Sequence, residues 1–367
     1  MSGYFAFCHL RQAWRLCAAL LVGVATVFGS GAALAQNAYI PNQLSNDVSV
    51  INIATNTVVA TVAVGNLPFG AAVSPDGTRA YVVNISSNNV SVINTATNTV
   101  VATVAVGNNP IGVAVSPDGT RAYVTNQTGA SVSVINTATN AVIATVAVGA
   151  GPTGVAFSPD GTRAYVTNVL SSDVSVINTA TNAVVATVAV GVSPRGVAVS
   201  PSGARVYVAN GASDTVSVIN TATNTVIASV PLGSGPRGVA VSPDGSRAYV
   251  TNTFSNNVSV INTATNAVVA TVAVGTNPFG VALSPDGTRA YFANSVSNDV
   301  SVINTATNTV VATVGVGSAP AALGQFIQPV SAAPAPVPTL SEWALILFGL
   351  MLAGGAALFL QRRHTTA

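Results

Sequence analysis

The long middle of this 367-residue sequence lacks most of the side chains that carry chemistry. Residues 36–329 contain no Cys, His, Lys, Glu, Trp or Met; the few Cys, His, Glu, Trp and Met residues lie in the first 17 or last 26 positions. This absence excludes disulfides, thiolate and imidazole metal ligands, Ser-His-Asp and Cys-His nucleophiles and Schiff-base lysines. We therefore expect no catalytic residue, no metal site and no cofactor in this region.

Charge is also scarce. Asp, Glu, Lys and Arg together make up 6% of the chain, against about 25% in an average soluble protein. All 12 basic residues are arginines, and within 36–329 eight arginines stand against nine aspartates, a net charge of −1. Because nucleic-acid binding depends on neutralising phosphates with excess positive charge, we expect no nucleic-acid partner.

The N-terminus predicts a secretory signal peptide at residues 1–35. Two arginines precede an apolar run at 16–28, and Ala33 and Ala35 form a small-x-small site before Gln36. We expect signal peptidase to cleave at that point. The alternative is an N-terminal membrane anchor, but the run is shorter than the ~20 residues of a spanning helix.

The C-terminus has three parts. Residues 330–338 are rich in Pro and Ala and predict an extended linker. Residues 344–360 are uncharged and mostly apolar, which predicts a transmembrane helix at the short end of the spanning range. Arg362 and Arg363 follow, and the positive-inside rule places them, with residues 364–367, in the cytoplasm.

A short motif joins the linker to the predicted helix. It reads Val337, Pro338, Thr339, Leu340, Ser341, Glu342 and Trp343. Residues 337–363 as a whole resemble the IPTL-CTERM protein-sorting signal of Gram-negative bacteria, with Val337 in place of the usual Ile. The resemblance implies an exosortase-like membrane protease as partner, transient passage through the inner membrane by 344–360, tail removal, and delivery to the cell surface or extracellular matrix. The alternative is a permanent inner-membrane anchor with the domain facing the periplasm.

A 42-residue repeat fills residues 36–329. Tyr recurs at this spacing from Tyr39 to Tyr291, and an Asn follows each Tyr by three residues. The 294 residues of this region make seven repeats of 42. Such a period indicates stacked or ring-forming repeat units.

Each repeat predicts four short strands, which in one unit are 112–116, 121–126, 132–136 and 142–149. A Pro-Asp-Gly turn separates the first two strands, and a Thr-Ala-Thr-Asn turn separates the last two. The strands are rich in β-branched, small and aromatic residues, which suit a pleated sheet. Four-stranded units of 40–50 residues are typical of propeller blades.

The strand count predicts how the ring closes. Seven second, third and fourth strands are present, but only six first strands carry the full turn, and 322–327 is strand-like without it. The chain enters the repeat region with a second strand at 37–42. We therefore predict an all-β, seven-bladed β-propeller in which a first strand from the C-terminal end joins the N-terminal blade and removes the exposed edges. The alternative is an open β-solenoid, which gives no reason for the offset termini.

The repeat also resembles a known family. AYVTN at 122–126, 164–168 and 248–252, with close variants in the other units, is similar to the YVTN-family β-propeller repeat. The resemblance implies a seven-bladed propeller of the kind found in bacterial and archaeal surface-layer and secreted proteins. It implies no single activity, because propellers host many functions. Related propellers include lactonases and cytochrome-bearing enzymes, whose His, Glu and Cys chemistry has no counterpart here.

Residues that break the repeat concentrate in two loops, which join the second strand to the third and the fourth strand to the next blade. In an up-and-down blade both loops lie on one face of the disc, here named the variable face. The Ser-Pro-Asp-Gly and Asn-Thr-Ala-Thr-Asn turns form the opposite, constant face, where we expect aspartates to hold turns and the following arginines to contact them or water. Variation on one face of a constant frame indicates a binding surface, or loops that nothing selects.

Four residues of the variable face form a candidate ligand site. Arg195 and Arg237 occupy the same loop position in neighbouring blades, and Phe69 and Phe279 fill it in two others. Arginine forks bind carboxylate, sulfate or phosphate groups, and exposed Phe stacks on a sugar or anchors a protein. The alternative is that aspartates of the preceding loops, at 173 and 214, neutralise the arginine pair.

The sequence thus predicts a secreted, surface-sorted protein that acts as a non-enzymatic binding or structural module of the cell surface or extracellular matrix. Surface polysaccharide or protein is the expected partner. The alternative is a propeller hydrolase or lyase of the lactonase type that acts on a small extracellular substrate. Such an enzyme needs acidic or His ligands in the central channel, where this sequence offers mostly Ser, Thr, Asn and Val.

Overall fold

The computed structural model describes residues 36–329 together with Met351. The predicted signal peptide lies outside the described residues, as do the linker, the sorting motif and all of the predicted transmembrane helix except Met351, which is helical. Within the described part of the chain, no helix is long and apolar enough to cross a membrane. Residues Ala35–Ser331 form one compact unit.

The strands form seven antiparallel sheets, one for each 42-residue repeat, and these sheets are the blades of a propeller. Blades 1 and 2 comprise β1 (Asn37–Asn42), β2 (Asp47–Asn52) and β3 (Thr57–Ala63), then β4 (Pro68–Val73), β5 (Arg79–Asn84), β6 (Asn89–Asn94) and β7 (Thr99–Ala105). Blades 3 and 4 comprise β8 (Pro110–Val115), β9 (Arg121–Asn126), β10 (Ser131–Asn136) and β11 (Ala141–Ala147), then β12 (Pro152–Phe157), β13 (Arg163–Asn168), β14 (Asp173–Asn178) and β15 (Ala183–Ala189). Blades 5 and 6 comprise β16 (Pro194–Val199), β17 (Arg205–Asn210), β18 (Thr215–Asn220) and β19 (Thr225–Pro231), then β20 (Pro236–Val241), β21 (Arg247–Asn252), β22 (Asn257–Asn262) and β23 (Ala267–Ala273). Blade 7 comprises β24 (Pro278–Leu283), β25 (Arg289–Asn294), β26 (Asp299–Asn304) and β27 (Thr309–Gly315). The predicted all-β, seven-bladed fold is confirmed.

An aspartate organises the turn between the first two strands of a blade. In blade 3, Asp118 accepts hydrogen bonds from the Ser116 hydroxyl (2.5 Å), the Thr120 amide (3.0 Å) and the Thr120 hydroxyl (2.9 Å). Gly119 then turns the chain at a φ of 73°, a conformation that favours glycine. Blade 5 has Ser202 in place of the aspartate, and its hydroxyl makes only longer contacts, to the Ser200 hydroxyl (3.1 Å) and the Ala204 amide (3.4 Å).

Buried tyrosines and half-buried arginines connect most blades to the next, through hydrogen bonds from blades 1, 3, 4, 5, 6 and 7. In blade 3, the Tyr123 hydroxyl donates to Asn182 Oδ1 (2.7 Å) and Arg121 Nη1 donates to the Thr179 carbonyl (2.6 Å), both in blade 4. Burial raises the pKa of Tyr39 to about 12. The expectation that these arginines serve mainly their own turn was therefore incomplete, because the guanidinium reaches the turn of the following blade.

Blade 7 packs against blade 1, so the blades form a ring and not an open solenoid. Arg289 Nη1 and the Tyr291 hydroxyl both donate to the Ile53 carbonyl, at 3.0 and 3.1 Å. Residues 319–328 run along β1 through backbone hydrogen bonds and two isolated bridges, Ala38 with Ile327 and Asn42 with Pro320. The sheet of blade 1 has three strands, so a regular closing strand stays a prediction.

The outermost strand of each blade contains a β-bulge. In blade 1, Val50 pairs with Ala60 and Ile51 pairs with Val58, which leaves Val59 as an extra residue on β3. The same irregularity recurs at the equivalent position of the other six blades. Val58 and Val59 are 39% and 53% exposed on the rim of the disc.

The two sets of connections lie on opposite faces, as predicted. On the variable face the Ile85 amide donates to the Leu67 carbonyl (3.0 Å), which joins the two variable loops. On the constant face the Thr95 hydroxyl donates to the Gly77 carbonyl (2.6 Å), which joins the two kinds of turn. Gln328 Nε2 donates to the same Gly77 carbonyl (2.7 Å), and the Gln328 amide donates to Asn37. The described chain therefore begins and ends at the constant face.

Candidate functional site

Seven residues spaced 42 apart surround one mouth of the central channel, on the variable face. We name them the mouth ring: Phe69, Ile111, Thr153, Arg195, Arg237, Phe279 and Ala321. The first six are the second residues of the innermost strands β4, β8, β12, β16, β20 and β24. All four site residues predicted from the sequence belong to this ring.

The innermost strands come very close together at the mouth ring. A Cβ on Gly154 would lie 2.4 Å from the Arg195 carbonyl oxygen, and a Cβ on Gly196 would lie 2.3 Å from that of Arg237. Only glycine leaves room for this approach. The two arginines are therefore held side by side by contacting backbones.

The aromatic and cationic residues form one continuous stack. The Arg237 guanidinium carbon lies 3.4 Å from the centroid of the Phe279 ring, within cation–π distance. Phe279 in turn meets Phe69 edge to face, with centroids 5.6 Å apart. Ala321 occupies the ring position between the two phenylalanines, and its small side chain lets them touch.

Arg195 lies across Gly211, the first residue of the loop between β17 and β18. A Cβ on Gly211 would lie 3.0 Å from Arg195 Nε. The equivalent loop residues in blades 4 and 6 are Val169 and Thr253, both with larger side chains. Glycine at 211 thus leaves space for the Arg195 side chain. Comparing the repeats one position at a time does not show that these two residues are in contact.

Burial lowers the pKa of both guanidinium groups, and the charge of Arg195 also acts on Arg237. Burial lowers the pKa of Arg195 below its ordinary value. Burial, and secondarily the charge of Arg195, lower the pKa of Arg237 to about 9. A bound anion would offset the repulsion that Arg237 experiences from Arg195.

Neither predicted neutralising aspartate is bonded to the arginine pair. Asp173 accepts a hydrogen bond from Asn168 Nδ2 (2.6 Å), and Asp214 accepts one from the Gly235 amide (2.8 Å). Within residues 36–329, the Arg195 and Arg237 side chains donate no hydrogen bond to another residue. The aspartates hold loops, and the guanidinium donors remain available for a ligand.

The exposure of the aromatic residues differs from the prediction. Phe69 is only 7% exposed, because it packs with Ile111 and Ala321 in a hydrophobic cluster, so the expectation of a free stacking surface is wrong at this residue. The two most exposed apolar side chains of the variable face are Leu170 (75%) and Phe254 (72%), and Leu44, Val296 and Val192 are also exposed there. Sequence reasoning missed Leu170 and Phe254, although each stands in a loop where the repeat is broken.

We expected mostly Ser, Thr, Asn and Val in the central channel; Val is present, but Gly and Ala take the place of the polar residues in most of the lining. Its cavity measures about 230 Å³. The side chains that depart from this small apolar lining include Phe157 and Gln325. Among the residues that the structure describes, no group of three or more His, Cys, Asp or Glu side chains converges.

Two family models match the chain. The model of YNCE-like β-propellers matches residues 116–205 and 201–289. The model of the IPTL-CTERM motif matches residues 335–364. These matches confirm the predicted resemblance to repeat propellers and to this sorting signal. No curated protein is significantly similar to the chain in sequence.

Solved structures share the fold. Hydrazine synthase of Kuenenia stuttgartiensis is 28% identical, with 73% of this chain and 92% of that chain covered at a TM-score of 0.67. A protein of unknown function from Desulfotomaculum acetoxidans is 18% identical, with 78% and 99% covered at 0.68. A candidate 6-phosphogluconolactonase from Bacteroides uniformis is 20% identical, with 78% and 98% covered at 0.68. At 18% and 20% identity, the last two likenesses concern the fold alone.

Proposed function

We propose that this chain, a propeller of YNCE-like repeats with a C-terminal IPTL-CTERM motif, is an exported surface or matrix protein that binds an anionic group at the mouth ring. The proposal depends on one observation above all. Arg195 and Arg237 lie side by side, partly desolvated, and no carboxylate in the described part of the chain accepts a hydrogen bond from them. Two adjacent guanidinium forks match the geometry of carboxylate, sulfate or phosphate oxygens.

The surroundings of the pair favour binding to a larger partner. Phe279 holds the Arg237 guanidinium in place, which reduces the conformational entropy lost when a ligand binds. Leu170 and Phe254 offer exposed apolar surface on the same face, in blades 4 and 6 on either side of the Arg195 blade. An anionic surface polysaccharide or an acidic protein segment has both the negative groups to bind the arginines and the size to reach the apolar surface around them.

The position of the termini favours presentation of this face to the surroundings. Both ends of residues 36–329 lie at the constant face, on the side opposite the mouth ring. We propose export by the signal peptide, cleavage before Gln36, and tail processing by an exosortase-like protease. Terminal-peptide mass analysis of the mature protein tests this: an end between Thr339 and Trp343 supports sorting, and an intact end at Ala367 in the inner membrane contradicts it.

The arginine pair is tested by a double substitution, Arg195→Ala with Arg237→Ala. With polygalacturonate as the probe, we expect at least about a hundredfold weaker affinity in calorimetry, because two guanidinium groups are lost and charge-assisted hydrogen bonds contribute about 1.5–3 kcal/mol each. The double lysine variant keeps the charge but loses the fork, and should be intermediate. Val59→Ala, on the exposed rim of the disc, is the surface control. Wild-type affinity in the double alanine variant would refute the site.

The same binding should depend on pH. Arg237 has a pKa of about 9 in the free protein, and a bound anion favours its charged form. The affinity is therefore highest well below pH 9, where Arg237 is charged in the free protein, and it falls as the pH rises through 9. Near pH 9, binding should be accompanied by proton uptake. A flat affinity from pH 7 to pH 10 would contradict the role of Arg237.

A hydrolase or lyase of the lactonase type is the second candidate. The fold likeness to the candidate 6-phosphogluconolactonase is its main support. In this ring the chemistry would have to be carried by Asp, Arg, Tyr and Asn side chains. Turnover of a sugar lactone by the wild type, abolished by the double alanine variant, would favour it over the binding role.

A further inference from the structure

Equivalent pockets recur between neighbouring blades on the constant face. They measure about 260 Å³ between blades 3 and 4, about 450 Å³ between blades 4 and 5, and about 320 Å³ between blades 6 and 7. These values lie near the small end of ligand pockets, which hold about 300–1,000 Å³. Each pocket therefore fits one small unit and not an extended molecule.

The three pockets share one construction. Each is lined by the aspartate turn and arginine of one blade, by the equivalent turn of the next blade, which carries Ser202 instead of aspartate in blade 5, and by a Thr-Ala pair in the outer turn of that next blade. The arginines are Arg121, Arg163 and Arg247, and the alanines are Ala180, Ala222 and Ala306. The lining residues are 42 or 84 positions apart, so the pockets are products of the repeat itself.

Hydrogen-bonding capacity is left over in these pockets. Arg121 uses one donor, from Nη1 to the Thr179 carbonyl, and a guanidinium has five. The carboxylate of Asp118 accepts three hydrogen bonds from its own turn, and it has about four acceptor sites. A ligand in this pocket therefore meets free donors and a free acceptor side by side.

The charges of the pocket select among ligand classes. Asp118 and Asp160 both line the pocket with Arg121, and Asp244 and Asp286 both line the pocket with Arg247. The pocket between blades 4 and 5 has one carboxylate, Asp160, beside Arg163. Two carboxylates repel an anion, and the single guanidinium repels a cation. A neutral, hydroxyl-rich group avoids both penalties, since each hydroxyl donates to a carboxylate and accepts from a guanidinium.

We propose that the constant face binds neutral sugar units in these pockets between blades, and that the propeller engages a neutral polysaccharide at several pockets at once. The repeat places equivalent pockets around one disc face, so binding of a polymer at one pocket raises the effective concentration of its other units at the next. The affinity for a polymer should therefore exceed that for the monosaccharide by about 10² or more. This site is separate from the arginine pair, which lies on the opposite face.

Pocket-filling substitutions provide the test. Ala180, Ala222 and Ala306 are exposed and line the three pockets. The triple change Ala180→Trp, Ala222→Trp and Ala306→Trp should block them without disturbing the core. The control is the triple change Thr181→Trp, Thr223→Trp and Thr307→Trp, which alters the next exposed residue of each turn, outside the pockets. Both variants are made in the mature exported protein and checked for wild-type circular dichroism.

Retention on immobilised dextran and on immobilised galactan, two neutral polymers, is measured with glucose or galactose as the competitor. We expect at least a tenfold loss of affinity in the alanine-site variant for the polymer that binds, and less than a twofold change in the threonine-site variant. Absence of wild-type binding to both polymers overturns the proposal, as does equal loss in both variants. Binding to polygalacturonate alone, lost with Arg195→Ala and Arg237→Ala, overturns it while supporting the mouth-ring site.

Discussion

The two faces of the disc are made from the same strands and differ in what their residues touch. On the constant face, turn residues contact the next blade, as Arg163 does through the Thr221 carbonyl at 2.8 Å. On the variable face, Leu170 of the same blade is 75% exposed. The identity of a residue that contacts the next blade is constrained by that contact, and the same contact recurs from blade to blade. An exposed loop residue has no such contact and is free to differ. On the constant face, repetition therefore accompanies contact between blades, and on the variable face several departures from the repeat are exposed and available for recognition.

The largest effect should come from crowding the innermost strands. Gly196→Val places a Cβ where the Arg237 carbonyl oxygen is only 2.3 Å away, and overpacking of this kind destabilises by about 1–3 kcal/mol or more. We expect a clear loss of the free energy of unfolding in chemical denaturation. Leu170→Ser on the variable face is the matched comparison and should change it by less than about 0.5 kcal/mol. Equal losses of stability in the two variants would contradict the claim that the packed strands constrain the fold more than the variable loops do.

Acid should weaken the aspartate turns of the constant face. Hydrogen bonds from the Ser242 hydroxyl and the Ser246 amide lower the pKa of Asp244 to about 2, and similar bonds lower the pKa of the other turn aspartates. Because the folded pKa lies below the ordinary value near 4, this stabilisation is complete above about pH 4 and is lost as the pH falls towards 2. Thermal melts from pH 5 to pH 2 measure it. A constant melting temperature over this range would contradict the role of the aspartates.

The smallest effect should be a gain in blade 5. Ser202→Asp gives this turn the carboxylate that holds the turns of blades 2, 3, 4, 6 and 7, in place of two weaker contacts at 3.1 and 3.4 Å. We expect about 0.5–1 kcal/mol of added stability, the usual net contribution of a hydrogen bond. Denaturation midpoints of the wild type and variant provide the comparison, with Ser213→Asp on the variable face as the control. A loss at Ser202 would show that blade 5 has its own turn geometry.

Sequence alone predicted most of the fold because the repeat supplies its own alignment. The spacing from Tyr39 to Tyr291 predicted seven blades, and the Pro-Asp-Gly turns predicted where each innermost strand ends. The division into two faces followed from the alternating direction of the strands. The last segment behaved differently: without that turn, residues 319–328 follow β1 only through backbone hydrogen bonds and isolated bridges.

The details of the mouth ring were beyond sequence reasoning. The spacing predicted that Arg195 and Arg237 are neighbours, but it did not predict that Arg237 covers Phe279 or that Gly211 leaves room for Arg195. Phe69 was expected to be exposed and is buried, because it packs against Ile111, Ala321 and the ring of Phe279. Side-chain directions depend on neighbours from other blades, and linear spacing does not contain that information.

The bulge in every outermost strand has a consequence for solubility. The rim presents seven uncharged strand edges with pairs of exposed aliphatic residues, such as Val142 and Ile143. Flat edges of this composition are templates for sheet extension between molecules. The extra residue at Val59, and at its six equivalents, interrupts the regular edge and increases the local twist. The bulges thus protect a disc with almost no charge on its rim from growing, edge to edge, into fibrils.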